Sequence, residues 1–141
     1  MESSLTYAPA NTSHMKTVAV VIVGLVTWIV VATIVNFLLR AWWPHYHEAE
    51  TAFNFTPGRK LVRLALGALA SVCSGFVAVW IANGRRTAAI ALGILLLLLF
   101  IPNHYLLWDK FPIWYHLTFL VSLFPLTVLG AILNLSRRRR R

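Results

Sequence analysis

The chain has 141 residues, of which 59% are hydrophobic and 12% charged, and its formal net charge is +9. So little polar surface excludes a soluble globular domain, whereas lipid accepts apolar side chains turned outward. The single cysteine, Cys73, excludes an intrachain disulfide and the thiol-disulfide membrane chemistry that needs a pair.

Residues 1–14 are polar and rich in small side chains, and read as a mobile N-terminal tail. The first apolar stretch, 17–39, is long enough to cross a bilayer. A helix rises about 1.5 Å per residue, so roughly 20 residues cover a hydrocarbon core of about 30 Å. The stretch exceeds a signal-peptide h-region of about 7 to 15 residues. It ends in Arg40, Trp42, Trp43 and Pro44, which suits a membrane interface rather than a cleavage site. It is therefore expected to be a retained span. Thr33, Asn36, Arg40 and Trp43 recur at helical spacing and form a polar stripe near its end. The loop WWPHYHEAE, 42–50, follows.

In the second stretch, 61–82, Gly67, Ser71, Ser74, Gly75 and Ala78 share a helix face. They predict a helix-packing seam, because small side chains let backbones approach closely in lipid. Arg63 lies on that face, four residues before Gly67. An arginine directed into a bundle needs an acid, and Glu48, Glu50 and Asp109 are the candidates for the ion pair. Asn83 and Gly84 suit a helix C-cap and tight turn, so the third stretch, 87–101, should return antiparallel. Its run of leucines at 95–99 predicts a lipid-facing surface, and Pro102 is read as the start of a second loop, PNHYLLWDKFPIWYH. The fourth stretch, 113–135, contains Pro125, which cannot donate to the Val121 carbonyl and should bend the helix, with Ser122 at hand for the freed groups. Arg137, Arg138, Arg139, Arg140 and Arg141 form a polybasic tail over 136–141. They are expected to hold anionic lipid headgroups at about 1 kcal/mol per residue.

The predicted fold is an all-α integral membrane protein. One domain, 15–135, carries four transmembrane helices in an antiparallel up-down bundle with two short, aromatic-rich extracytoplasmic loops. Lys16, Arg85, Arg86 and the terminal arginines fall on one side, against Arg40, Arg59, Lys60, Arg63 and Lys110 on the other. The positive-inside rule then sets both termini in the cytoplasm, with a bacterial inner membrane as the expected location. The whole margin comes from the terminal arginines.

Chemistry-bearing residues concentrate in the two outer loops. His45, His47, Glu48, Glu50 and His104 form a candidate transition-metal site, since imidazole and carboxylate together suit zinc, iron or copper. Their spacing matches no standard zinc signature. The competing and weightier reading is an aromatic belt of Trp42, Trp43, Tyr46, Tyr105, Trp108, Trp114 and Tyr115, with the histidines and acids hydrogen-bonded in the interfacial layer. His116, at the start of the fourth stretch, is a candidate ligand for a haem-type cofactor. No second histidine lies in any predicted span, which favours an interfacial histidine bonded to a neighbouring loop.

None of Glu2, Glu48, Glu50 or Asp109 falls in a predicted span, which argues against small four-helix proton-coupled transporters, whose mechanism needs a membrane-embedded carboxylate. Two functions are carried forward. The first is a non-catalytic accessory or assembly subunit of a larger membrane complex, working through helix packing and an aromatic outer cap. Its partners would be other membrane subunits or further copies of the chain, together with anionic and other membrane lipids, and no nucleic acid. The second is an outer-face metal-binding protein or metal-dependent membrane enzyme, recognisable by three or more of the named ligands meeting at one point.

Overall fold

The computed structural model describes residues 11–140, with side chains from residue 15 onward. The tail expected over 1–14 lies outside the described residues as far as residue 10, and from Asn11 the chain is already helical. Every described element is a helix or a turn. In order these are α1 (Asn11–Trp42), the short α2 (Tyr46–Thr51), α3 (Pro57–Ile81), α4 (Arg86–Leu106), a single 3-10 turn (Trp108–Lys110) and α5 (Ile113–Arg139). α1, α3, α4 and α5 are long and apolar enough to cross a membrane. The molecule is a multi-pass, all-helical protein.

The helices run past the predicted apolar stretches, each for a local reason. α1 meets no breaker until Pro44, whose ring disfavours helical geometry in the residue before it. α3 begins at Pro57 because Thr56 caps it: the Thr56 hydroxyl accepts from the Arg59 backbone N–H at 3.4 Å, and proline is preorganised for the first helical position. α5 continues through Arg139, since arginine is a good helix former and cations are favoured near a C-terminus. The polybasic segment expected as a tail is thus, as far as Arg139, the end of a helix. Arg138 donates to the Trp80 carbonyl at 2.8 Å, and Arg137 lies over the Phe76 ring.

α4 differs most from expectation, because it runs through Pro102 to Leu106. An interior proline costs about 3 kcal/mol. The added turn offsets this by burying His104 among Phe100, Tyr115 and Phe119. Pro125 likewise sits inside continuous helix, and Ser122 donates to the Phe119 carbonyl rather than serving the Val121 carbonyl. Asn83 and Gly84 both have positive φ and close α3, the Gly84 N–H bonding the Val79 carbonyl at 2.9 Å.

The most extensive contact joins α3 to α5. Gly67 meets Phe119, while Gly75 and Gly130 let the two backbones touch: a methyl at Gly75 would fall on the Thr127 carbonyl, and one at Gly130 on the Val72 carbonyl. The whole seam of Gly67, Ser71, Ser74, Gly75 and Ala78 is buried, so it is used within the chain. Ser71 also ties α1 to α3, accepting from the Trp28 indole N–H at 3.1 Å while donating to the Gly67 carbonyl. On α4, Leu92 and Leu96 enter the core, whereas Ile94, Leu98 and Leu99 face outward.

Candidate functional site

After α1, Pro44 stops the helix and His45, with φ 58°, turns the chain so that α2 lies back across the bundle end. Tyr46 and Ala49 point inward and are buried. Glu50, one turn beyond Tyr46, points the same way. Its carboxylate accepts from Arg40 Nε at 2.7 Å, from Asn36 Nδ2 at 3.1 Å and from Arg63 Nη1 at 3.2 Å. Arg63 Nη1 also donates to the Tyr46 hydroxyl at 3.3 Å, and its guanidinium lies 4.8 Å over the Phe55 ring. Burial alone would raise the Glu50 pKa, but hydrogen bonds from Arg40, Asn36 and Arg63 outweigh it and hold the carboxyl below its ordinary 4.5. Two guanidiniums face one carboxylate, so the cluster keeps one excess positive charge.

Of the three acids proposed for Arg63, Glu50 is the one that reaches it. Glu48 is exposed, with its carboxylate 3.0 Å from His45 Nδ1, and Asp109 makes no ion pair among the described residues. The five proposed metal ligands are split among three places. His45, His47 and Glu48 face outward, Glu50 sits in the arginine cluster, and His104 is buried in the bundle. No group of three or more His, Cys, Asp or Glu gathers among the described residues. Within α2, Glu50 lies one turn beyond the buried Tyr46 and is taken up by Arg40 and Arg63, whereas His47 and Glu48 stay exposed and Glu48 turns to His45.

Because α4 runs through Pro102, a second histidine does reach His116, contrary to the expectation from the predicted spans. His104 Nδ1 and His116 Nδ1 are 2.7 Å apart, so one nitrogen donates to the other. His116 is fully buried and stacks on Trp108, with ring centroids 5.0 Å apart. Its Nε2 is buried without a partner in the protein. The two rings are joined by a hydrogen bond, and no third histidine, cysteine or carboxylate joins them among the described residues.

The two connections at this end meet through rings: Phe53 and Phe55 lie 6.3 Å and 5.8 Å from Phe111 between centroids. Beside the cluster lies a cavity of about 300 Å³, whose lining includes Trp28, Asn36, Arg63, Phe100, His104 and Phe119. Two of its lining residues carry buried polar atoms with no partner in the protein, Arg63 Nε and Asn36 Oδ1. The polar stripe of α1 points toward Asn36 and Arg40 in the sequence. Trp28 carries only the faint signal of an indole placed in mid-span, far from either interface, and so needing an acceptor.

Comparison with protein-family models, curated proteins and solved structures finds no match for this chain.

Proposed function

We propose that this chain is a small, non-catalytic accessory or assembly subunit of a larger membrane complex, and that it works by binding at the capped end of its bundle. The observation that supports this is how the polar groups there are held. Glu50 is engaged by Arg40, Asn36 and Arg63 at once, so its lone pairs are occupied rather than poised for proton transfer. A rigid cluster beside a cavity of about 300 Å³ suits a site that holds a group in place.

In this reading the four long helices succeed one another antiparallel, the capped end is extracytoplasmic, both termini are cytoplasmic, and the membrane is a bacterial inner membrane. The α4–α5 contacts Gly93 to Phe124 and His104 to His116 run in opposite senses, and the α3–α5 contacts Gly67 to Phe119 and Gly75 to Thr127 in the same sense, which supports the up-down order. The excess of basic residues at the other end supports the orientation. Because the small-residue seam is used internally, other subunits would meet the outward apolar faces, above all α1, the least buried of the four spans. The exposed Arg139 and Arg140 are placed for anionic headgroups.

The test is a photo-crosslinking amino acid at Val26, which is exposed on α1, activated in the native membrane. A discrete protein adduct is expected. Adducts to lipid alone, with a monomer on purification in gentle detergent, would overturn the reading.

A further inference from the structure

We infer that a second cavity, at the end of the bundle away from α2, binds the phosphodiester of an anionic phospholipid whose head carries no ammonium group. The cavity has a volume of about 350 Å³ and lies between the start of α1, the end of α3 and the start of α4. The inference does not rest on the accessory reading.

The polar lining dictates the charge of the ligand. It consists of Lys16, Thr17, Asn83, Arg85 and Thr87. Thr17 is already engaged, whereas Lys16 and Arg85 are exposed and make no ion pair or side-chain hydrogen bond among the described residues. Arg137 and Arg138, by contrast, are taken up by the Phe76 ring and the Trp80 carbonyl. Ammonium and guanidinium groups only donate, so a group that meets both must accept, and an anion does so most strongly. The described acids Glu48, Glu50 and Asp109 all belong to α2 and the 3-10 turn at the capped end, and none lines this cavity. A zwitterionic lipid would therefore bring its ammonium group among cations with no described carboxylate to meet it. An uncharged head such as glycerol brings hydroxyls instead, for which Asn83 and Thr87 supply partners.

The order of residues along the helices ties the anion to a lipid. α1 passes from Lys16 to Ala19 and Val20, α4 passes from Arg85 and Thr87 to Ala88, and α3 arrives through Ile81 and Ala82. Val20 and Ala88 are buried in the core, so the lining is basic at the rim of the bundle and apolar about one turn further in. A phospholipid in a bilayer has the same gradient, with its phosphate outermost and its carbon chains within, whereas a free phosphate has no apolar part to bury. The turn that joins α3 to α4 is fixed by the left-handed Asn83 and by the Gly84 N–H on the Val79 carbonyl. The backbone that carries Asn83 and Arg85 is thus set before a lipid arrives, which lowers the cost of binding. A volume of about 350 Å³ takes the phosphodiester with its glycerol carbons rather than a whole lipid, and leaves the acyl chains to the exposed apolar surface of α1 and α4.

The experiment is native mass spectrometry of the full chain in detergent micelles, titrated with phosphatidylglycerol, with phosphatidylcholine of the same acyl chains, and with inorganic phosphate as competitor. Micelles impose no orientation, so changing basic residues cannot act through topology. One phosphatidylglycerol is expected to be retained about tenfold more tightly than phosphatidylcholine, the difference that bonds to charged donors supply. Lys16→Gln combined with Arg85→Gln should bring the two lipids to the same affinity, whereas Arg139→Gln with Arg140→Gln should leave the first bound lipid in place. Ala19→Phe narrows the cavity from an exposed position on α1 while keeping both cations, and should also remove the preference. It covers the case in which the double variant at Lys16 and Arg85 fails to fold. Equal retention of the two lipids would overturn the inference, as would an unchanged preference in the Lys16 and Arg85 variant or in Ala19→Phe. Loss of the first lipid in the Arg139 and Arg140 variant would move the site to the end of α5 and overturn it too. Displacement of the lipid by an equal concentration of inorganic phosphate would assign the cavity to a free phosphate and sink the lipid.

Discussion

Glu50 carries more of the structure than any other charged residue, because α1, α2 and α3 are joined through its carboxylate. Its pKa is depressed in the fold, so its contribution to stability is fully present above the unfolded value and is lost as pH falls through the folded one. The thermal midpoint in detergent should therefore hold steady down to the ordinary carboxyl pKa of 4.5 and fall below it. Glu50→Gln should remove most of that acid dependence and cost about 2 kcal/mol at neutral pH, less than a fully buried pair because the site is partly exposed. Glu48→Gln, on the outward face, should change stability by less than about 0.5 kcal/mol. A steeper acid loss in the Glu50→Gln variant than in the parent chain would contradict this assignment. The inward course of Arg63 is legible in its four-residue spacing from Gly67, and the Asn36–Arg40 stripe is legible too. The choice of Glu50 over its neighbours is not, since it depends on a six-residue helix whose start is set by a left-handed His45.

At the level of elements, Gly75 and Gly130 mark the place where α3 and α5 touch backbone to backbone. An added methyl has no flexible side chain to displace there, so the helices themselves must separate. Gly75→Ala should destabilise the bundle by about 2 kcal/mol, in the range of overpacking a tight core, and Gly58→Ala, where a methyl meets open space, should not. Unfolding in mixed micelles, followed by circular dichroism, measures the difference. The existence of the four long helices is legible in their apolar runs. Their ends are harder to read, because hydropathy reports where lipid begins while caps and packing decide where a helix stops. Pro102 illustrates this: as a breaker it predicts a loop, but the helix continues because His104 gains a buried ring environment one half-turn later.

For the molecule as a whole, orientation is the property the sequence decides least firmly. Lys16, Arg85 and Arg86 alone are outnumbered by the basic residues at the capped end, and only the terminal arginines reverse the balance. A cytoplasm-active reporter fused after Arg141 should be active and one inserted at Ala52 inactive. Neutralising the five terminal arginines should yield a mixture of orientations. The close approach of α3 and α5 also has a bearing on biogenesis. α5, which fills the Gly75 groove, follows α1, α3 and α4 in the chain, so until it inserts α3 carries an open furrow of small residues. Insertion of α5 and the sealing of the interior are one event.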